Sequence, residues 1–482
     1  MPNSVRVADL LQRLPASTLV VGDRDRAVTS LEIDSRRVVI GALFVALRGQ
    51  HADGHAFVDQ ALVRGAAAVV LEMGASAPQR PNVTYLYVPN ARRALSSIAA
   101  VFYGDPSLGL DVIGVTGTNG KTTTTRMIAS ILETGGISCG IIGTVGAELG
   151  ERRWPLEHTT PQPPELHAIL AEMRGAGARA VALEVSSHAL ALDRVEDVHF
   201  RVAALTNVTR DHLDFHQTLE AYAAAKRRLF TMAQAAVLNV DDAHGQLWHA
   251  DVGARVPTLT YALDAPADLH PSAVRIAPNG STFTLDGTAF AVKLPGRFNV
   301  ANALAAIGVA RTLGIGDAAA ARGLAALVRV PGRMEHLRGR DIDVVIDYAH
   351  TPDALANALT ALRETSTGKL AVVFGCGGDR DRGKRPEMGA VAARLADRIY
   401  LTSDNPRSED PRAILDEIIP GLGSHAFVAE LDRRSAIARA IDESAPGDVV
   451  LIAGKGHESY QLVGDDVLPF DDATVAREVL QR

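Results

Sequence analysis

Residues Val112–Thr125 read VIGVTGTNGKTTTT. An apolar run passes into glycines and then into Gly120-Lys121-Thr122, the order of a strand, a loop and a helix. Such a junction aims several backbone N–H groups at one point and makes an anion site at the helix N-terminus. Gly117 and Gly120 allow the tight backbone, and Thr118, Asn119 and Thr123 complete the loop. Lys121 adds a point charge and Thr122 a hydroxyl suited to Mg2+. The commonest nucleotide loop has glycine where this chain has Val115, so a less common loop subtype is expected. No Asn-Lys-x-Asp segment is present to read guanine, which sets aside the switch GTPases. The loop alone leaves a small-molecule kinase open.

Outward from the loop, the pattern divides the chain into three. Up to about Asp105, GALFVALRG and AAAVVLEMG read as buried strands, with FVDQALVRG as the amphipathic helix between them. YGDPS, at Tyr103–Ser107, reads as a linker. After the loop and its helix (about Lys121 to Thr134), CGIIGT, RAVALEVS, VAALTNV and AAVLNV alternate with helical stretches, as in a mostly parallel sheet. VRIAPNGSTFTLDGTAFAVKL then reads as antiparallel strands joined by Asn-Gly and Asp-Gly turns. From about Pro331, VVIDYAH, LAVVFGCGG, RIYLTSD, HAFVAEL and VVLIAGKG form a second doubly wound unit. The expected fold class is α/β in three domains: a small N-terminal α/β domain over 1–105, a central P-loop domain over 106–332, and a Rossmann-like doubly wound domain over 333–482. Ligands of such sheets sit beyond the carboxyl ends of the strands.

Composition agrees with a folded, multidomain chain. Its 482 residues exceed one ordinary core, and 47% hydrophobic with 22% charged is a usual soluble profile. A net charge of -7 argues against a general nucleic-acid surface. Two cysteines, Cys139 and Cys376, suggest no disulfide framework and fit a reducing compartment. With no signal-like N-terminus and no membrane-length apolar run, a cytoplasmic protein without membrane insertion is expected.

The polar residues of interest follow apolar strands. Glu184 ends one strand and His212 follows another, and both could approach Mg2+ near the phosphates. Lys226, in AYAAAKRRLF, reads from spacing alone as a solvated helix lysine. A cation has no place beside Mg2+, but a neutral amine can take up CO2 as a carbamate and become an anionic oxygen ligand. TSDNPRSEDP lies at a strand end before a helix that opens at Pro411. Arg407 there can clamp a carboxylate with two parallel hydrogen bonds, although Asp-Asn-Pro is also a plain turn former.

Several motifs together resemble the Mur ligases: GVTGTNGKTT, EVSSHAL, TNVTRDHLDFH, the lysine in YAAAKRRLF, GRFNVANALAA, DYAHTPDAL and GKGHE. They span nearly the whole chain in the family's order. The resemblance implies an ATP-dependent amide ligase of bacterial cell-wall peptide synthesis, with an N-terminal domain for uridine diphosphate, a central ATPase and a C-terminal amino-acid-binding domain. It implies Thr122 and Glu184 on one Mg2+, and His212 with carbamylated Lys226 on a second. It implies ATP contacts from Asn299, Asn302, Arg333 and Asp347, with His350 near the phosphates. DSRRVVIGALFVALRG, GCGGDRDRGKRPEMG and DNPR point within the family to UDP-N-acetylmuramoyl-L-alanyl-D-glutamate and meso-diaminopimelate as substrates. Diaminopimelate contacts would then come from Arg380, Asp404, Asn405, Pro406, Arg407, Gly454 and Glu458. Ser35, Gln50, His51, Ala52, Thr159, Thr160, Ser186 and Arg194 would hold the nucleotide sugar peptide. The chain departs from some relatives in the order Gln50-His51, in His158 for asparagine and in Leu192 for glutamine. A monomer is expected. A lysine-adding ligase, a folate-polyglutamating ligase and a non-catalytic nucleotide-regulated binding protein are the competing readings. Arg407 argues against the first, an N-terminal uridine domain against the second, and Lys121, Glu184, His212 and Lys226 together against the third.

Overall fold

The structure, a computed structural model, describes residues 4–49, 52–277 and 280–482. Two compact units emerge: Met1–Gly114, Ile137–Ala203 and Arg228–Gln234 form the first, and Val115–Gly136, Ala204–Arg227 and Ala235–Arg482 the second.

In the first unit a five-stranded sheet runs in the order Leu19–Val21, Thr84–Val88, Ala68–Glu72, Ala42–Val45, Ser30–Glu32. Alternate residues serve opposite faces. Leu43, Val45, Val70 and Leu86 pack against Leu95 and Ile98 of the helix Ala91–Phe102. Phe44, Val69 and Tyr85 pack against Val58, Ala61 and Leu62 of the expected helix, Val58–Val63. Asn90 caps the longer helix by accepting from Arg93 N–H at 3.0 Å. Further along, Cys139–Gly143 runs parallel to Ala180–Glu184 and antiparallel to Gly146–Leu149, which pairs with Arg152–Trp154.

In the second unit the phosphate-loop helix spans Lys121–Thr134 and packs on helices Arg297–Thr312 and Asp317–Ala326. Strands Ala236–Asn239 and Thr258–Tyr261 run parallel. Ser272–Ala277, Gly280–Leu285 and Thr288–Val292 form an antiparallel sheet. Asp286 and Gly287, at φ 48° and 80°, make the turn expected of Asp-Gly. Asn279, of the expected Asn-Gly turn, lies outside the described residues.

The C-terminal sheet has the order Glu335–Gly339, Ile342–Asp347, Val449–Ala453, Leu370–Phe374, Arg398–Leu401, Phe427–Ala429. All neighbours are parallel except the first pair. Val345, Val372 and Leu451 face one core and Val344, Val373 and Ile452 the other, so both faces are covered as a doubly wound sheet requires. The parallel strands place Asp347, Phe374, Leu401 and Ala453 at one edge, which is where the site lies. The edge strand Glu335–Gly339 and the hairpin Tyr460–Val463 with Asp466–Pro469 were not expected. Their mixed, exposed sequences carry no apolar run. No helix among the described residues is long and apolar enough to cross a membrane.

One buried group in the first unit opposes stability at low pH. His167, on the helix Pro163–Gly175, is 0% exposed, and neither ring nitrogen has a hydrogen-bond partner among the described residues. Burial, helped by the charge of Arg13 and by His199, pushes its pKa down to about 3. Above pH 6.5 the ring is neutral folded or unfolded. As pH falls, the unfolded chain takes the proton first, so stability is lost between 6.5 and about 3, at roughly 1.4 kcal/mol per pH unit. His167→Leu is expected to flatten the fall in the urea midpoint between pH 6.5 and 5; an unchanged slope in the variant would refute this.

Candidate active site

The loop has the predicted geometry. Gly117 and Gly120 sit at φ +149° and +86°. A Cβ at Gly117 would collide with Thr206 Oγ1, and one at Gly120 with Asn302 Oδ1. Thr118 N–H donates to Asn207 O at 2.8 Å and Asn119 N–H to Asn207 Oδ1 at 2.9 Å. Lys121 Nζ folds back on its own loop, donating to Gly117 O at 2.9 Å and Thr118 O at 2.7 Å. Thr122 Oγ1 accepts from Arg333 at 3.1 Å, and that guanidinium stacks 4.3 Å over the Tyr348 ring. Thr123 is buried in the first helical turn. Asn302 Oδ1 lies 3.4 Å from Thr124 Oγ1, and Asn302 Nδ2 donates to Asn299 Oδ1 at 3.1 Å. Asp347 accepts from Met334 N–H at 2.8 Å, fixing the turn that delivers Arg333, and burial pushes its carboxyl up. All four residues expected around the nucleotide thus lie in the loop's own unit.

Lys226 overturns the reading from spacing. The helix Leu219–Arg227 turns Tyr222, Ala223, Ala225 and Lys226 inward, and Lys226 is 1% exposed. Its Nζ donates to Gly117 O at 2.7 Å and lies 4.3 Å from the Tyr222 ring centre. Burial pushes its pKa well below the usual lysine value, and the charge of Lys121 adds to the effect. Its charged form is therefore disfavoured, which spacing could not reveal.

His212, at φ 53°, and His350 converge on one carboxylate that sequence reasoning missed. Asp211 Oδ2 lies 3.4 Å from His212 Nε2 and 3.8 Å from His350 Nε2. Burial would raise the Asp211 carboxyl, but the facing His350 and His212 and the charge of Lys384 hold it well below the carboxylate range. His350 Nδ1 lies 2.7 Å from Tyr348 O, which fixes the ring. Asp211 stood inside the quoted TNVTRDH, so its position beside His212 was the available signal.

These groups open into a cavity of about 160 Å³ at the carboxyl edge of the C-terminal sheet. Arg380, Asp404, Asn405, Arg407, Gly454 and Glu458 all line it; Pro406 completes the loop between Asn405 and Arg407 but is not among the lining residues. Arg407, at φ 52°, donates to Gly378 O at 2.8 Å, and Arg380 donates to Asp379 O at 2.9 Å. The carboxylates of Asp404, Glu458 and Asp379 act on Arg407 by charge rather than through an ion pair among the described residues. Burial lowers the Arg407 pKa, and Arg380 repels it further. Asn405 Nδ2 donates to Glu458 Oε2 at 2.9 Å. Behind them Arg433 and Asp472, both fully buried, pair at 2.8 Å. Arg433 also donates to Ala453 O at 3.0 Å and Ser403 O at 3.4 Å, which braces the two strand ends that present Gly454 and Asp404.

In the first unit a second group assembles. Thr160 Oγ1 donates to Glu184 O at 2.8 Å and accepts from Ser186 N–H at 3.0 Å, and Arg194 donates to Thr160 O at 2.9 Å. Thr144, unforeseen, donates through N–H and Oγ1 to the two Glu184 oxygens at 3.0 and 2.9 Å, and its hydroxyl lies 3.1 Å from Thr159 Oγ1. Glu184 ends its strand while Ser186 caps the next helix, so the carboxylate is not used as the cap. Burial, with Arg92 repelling, lowers Arg194 to about 10. Ser35 instead donates to Gln60 Oε1 at 2.6 Å, and Ala52 accepts from Gly49 N–H at 2.8 Å. Gln50 and His51 lie outside the described residues.

Comparison with known proteins gives three family matches: "Mur ligase family, catalytic domain" over residues 27–103, "Mur ligase middle domain" over 115–310 and "Mur ligase, glutamate ligase domain" over 332–456. A curated UDP-N-acetylmuramoyl-L-alanyl-D-glutamate–2,6-diaminopimelate ligase of Chlorobaculum tepidum is 48% identical, over 91% of this chain and 90% of the relative. A ligase of the same name from Syntrophomonas wolfei is 44% identical over 99% of both chains. A solved structure of that ligase superposes with TM-score 0.68 at 35% identity, covering 99% of each chain. A MurF ligase of Thermotoga maritima in complex with ADP shares the fold, with TM-score 0.65 at 23% identity over 94% of this chain and 97% of that one.

Because Gly120 holds a left-handed turn and a Cβ there would collide with Asn302, Gly120→Ala is expected to weaken ADP binding by about tenfold or more. Anisotropy of a labelled ADP measures this, and undiminished affinity would refute it.

Proposed function

This chain belongs to the Mur ligase family, and we propose that it joins meso-2,6-diaminopimelate to UDP-N-acetylmuramoyl-L-alanyl-D-glutamate in peptidoglycan precursor synthesis. It is an ATP-dependent amide ligase. The boundaries 1–105, 106–332 and 333–482 are proposed for its domains, supported by the ranges of the family matches, and the cytoplasm for its location.

The chemistry follows from a weakness of carboxylates: oxide is a poor leaving group. ATP transfers its γ-phosphoryl group to the acceptor carboxylate, which gives an acyl phosphate and ADP. The amine attacks the acyl carbon, loses a proton, and the tetrahedral intermediate expels phosphate as the amide forms. Bringing two anions together makes charge neutralisation the main demand. The loop N–H groups and Lys121 answer it, Asn299 and Asn302 shape the loop's outer wall, and Arg333 orients Thr122.

Magnesium ions fit this unit only with one change. Among the described residues no three acidic, histidine or cysteine side chains gather as a metal site, and an amine offers Mg2+ no oxygen. Addition of CO2 to the neutral Lys226 amine, with release of a proton, would supply an anionic oxygen beside His212. The Thr122 hydroxyl supplies another. Bound there, Mg2+ would neutralise phosphate charge.

The observation that carries the amino-acid assignment is the pair Arg380 and Arg407, two guanidiniums lining one cavity, where Asp404, Glu458 and Asp379 act on Arg407 by charge but no carboxylate among the described residues forms an ion pair with either. A dicarboxylate answers both, and Asp404 and Glu458 remain to receive an ammonium group. Lysine would leave one guanidinium unpaired.

The test is phosphate release from ATP that requires both UDP-N-acetylmuramoyl-L-alanyl-D-glutamate and diaminopimelate; equal turnover with lysine would defeat the assignment. Arg407→Ala is expected to lower kcat/KM for diaminopimelate about a hundredfold, roughly 3 kcal/mol, with the KM for ATP nearly unchanged. An unchanged diaminopimelate KM would count against the clamp. Lys226→Ala is expected to lose nearly all activity and to regain part of it with added short carboxylic acids. Full activity in the untreated variant would remove the carbamate.

A further inference from the structure

Lys455 is fully enclosed, at 0% side-chain exposure, and its ammonium turns toward the amino-acid cavity rather than solvent. It donates to Asn405 Oδ1 at 3.0 Å and Glu458 Oε2 at 3.1 Å, and it lies 5.6 Å from the Tyr460 ring centre. Both acceptors line the cavity; Lys455 does not. Asn405 Oδ1 also accepts from Leu462 N–H at 3.0 Å. Two donors on one side of the amide can face only its oxygen, so the amide cannot flip, and Nδ2 must point at Glu458 Oε2, 2.9 Å away. The second Glu458 oxygen lies 3.5 Å from Tyr348 Oη. Glu458 shares the cavity with Asp404, and without a cation behind it the two carboxylates would repel.

We infer that Lys455 is a positioning residue for amino-acid recognition: it locks the Asn405 amide and holds Glu458 toward the bound amino acid without touching that molecule itself. This rests on the proposed use of the cavity for diaminopimelate. Lys455 acts on ground-state binding, so its loss raises KM rather than lowering kcat.

The experiment uses the full chain in the phosphate-release assay. Wild-type turnover with diaminopimelate is measured first; its absence sinks the proposed function and leaves the geometry of Lys455 intact. In Lys455→Met the diaminopimelate KM is expected to rise about tenfold or more, with kcat within about threefold and the KM values for ATP and the UDP-sugar peptide unchanged. Lys455→Gln, which keeps a donor for Asn405 but no charge for Glu458, should fall between. Lys455→Met added to Glu458→Gln should cost less than the product of the two separate effects, because both act through one carboxylate. An unchanged KM in Lys455→Met, a parallel loss of all kinetic constants, full multiplicativity in the double variant, or failure of both Lys455 variants to fold would each overturn the inference.

Discussion

One carbonyl organises the catalytic unit. Gly117 O accepts from Lys121 at 2.9 Å and from Lys226 at 2.7 Å. Two ammonium ions on one oxygen repel, and Lys226, unlike the partly exposed Lys121, has no water to screen the repulsion. The conflict is relieved at the enclosed lysine, whose proton burial already disfavours. A loop that must expose this carbonyl inward and its N–H groups outward needs glycine at the strained turn positions, with Thr206 and Asn302 pressed against them. The glycine turns of the loop and the enclosure of Lys226 are thus two results of the same local geometry.

The C-terminal cavity follows a related logic with opposite sign. A doubly wound sheet delivers its loops to one edge, and the buried Arg433–Asp472 pair fixes two of the strand ends there. On that base the chain sets two guanidiniums that cannot pair among themselves and two carboxylates that can receive a cation. The cavity is complementary to an amino acid with charged groups at both ends, and it reaches Asp211 and His350, next to the loop's own chemistry.

Elements with a clean period were legible. The strand before the loop, the helix Lys121–Thr134 and the five parallel strands of the C-terminal sheet carry long apolar runs, and they formed where those runs lie. The hairpin Tyr460–Pro469 was not legible because its residues are exposed and mixed, yet it bonds the Asp404–Arg407 loop through Gln461, Leu462 and Gly464. Lys226 was readable only through family resemblance. Helical spacing alone could not show that Tyr222 and Gly117 would close over it. Asp211 and Lys455 lay inside quoted motifs but were masked by their neighbours, since a carboxylate beside a histidine or a lysine between glycines has no pattern that separates support from contact.

Within the cavity the charge of Arg380 works against that of Arg407, while Asp404, Glu458 and Asp379 work for it. An amino acid with a carboxylate at each end offers both guanidiniums a partner, and its ammonium groups suit the carboxylates between them. Mass action then makes the resistance of the C-terminal region to heat rise with the concentration of its amino acid. In a cell short of that building block, the same feature would leave more of the enzyme open to proteolysis, coupling enzyme abundance to precursor supply without a separate regulatory site.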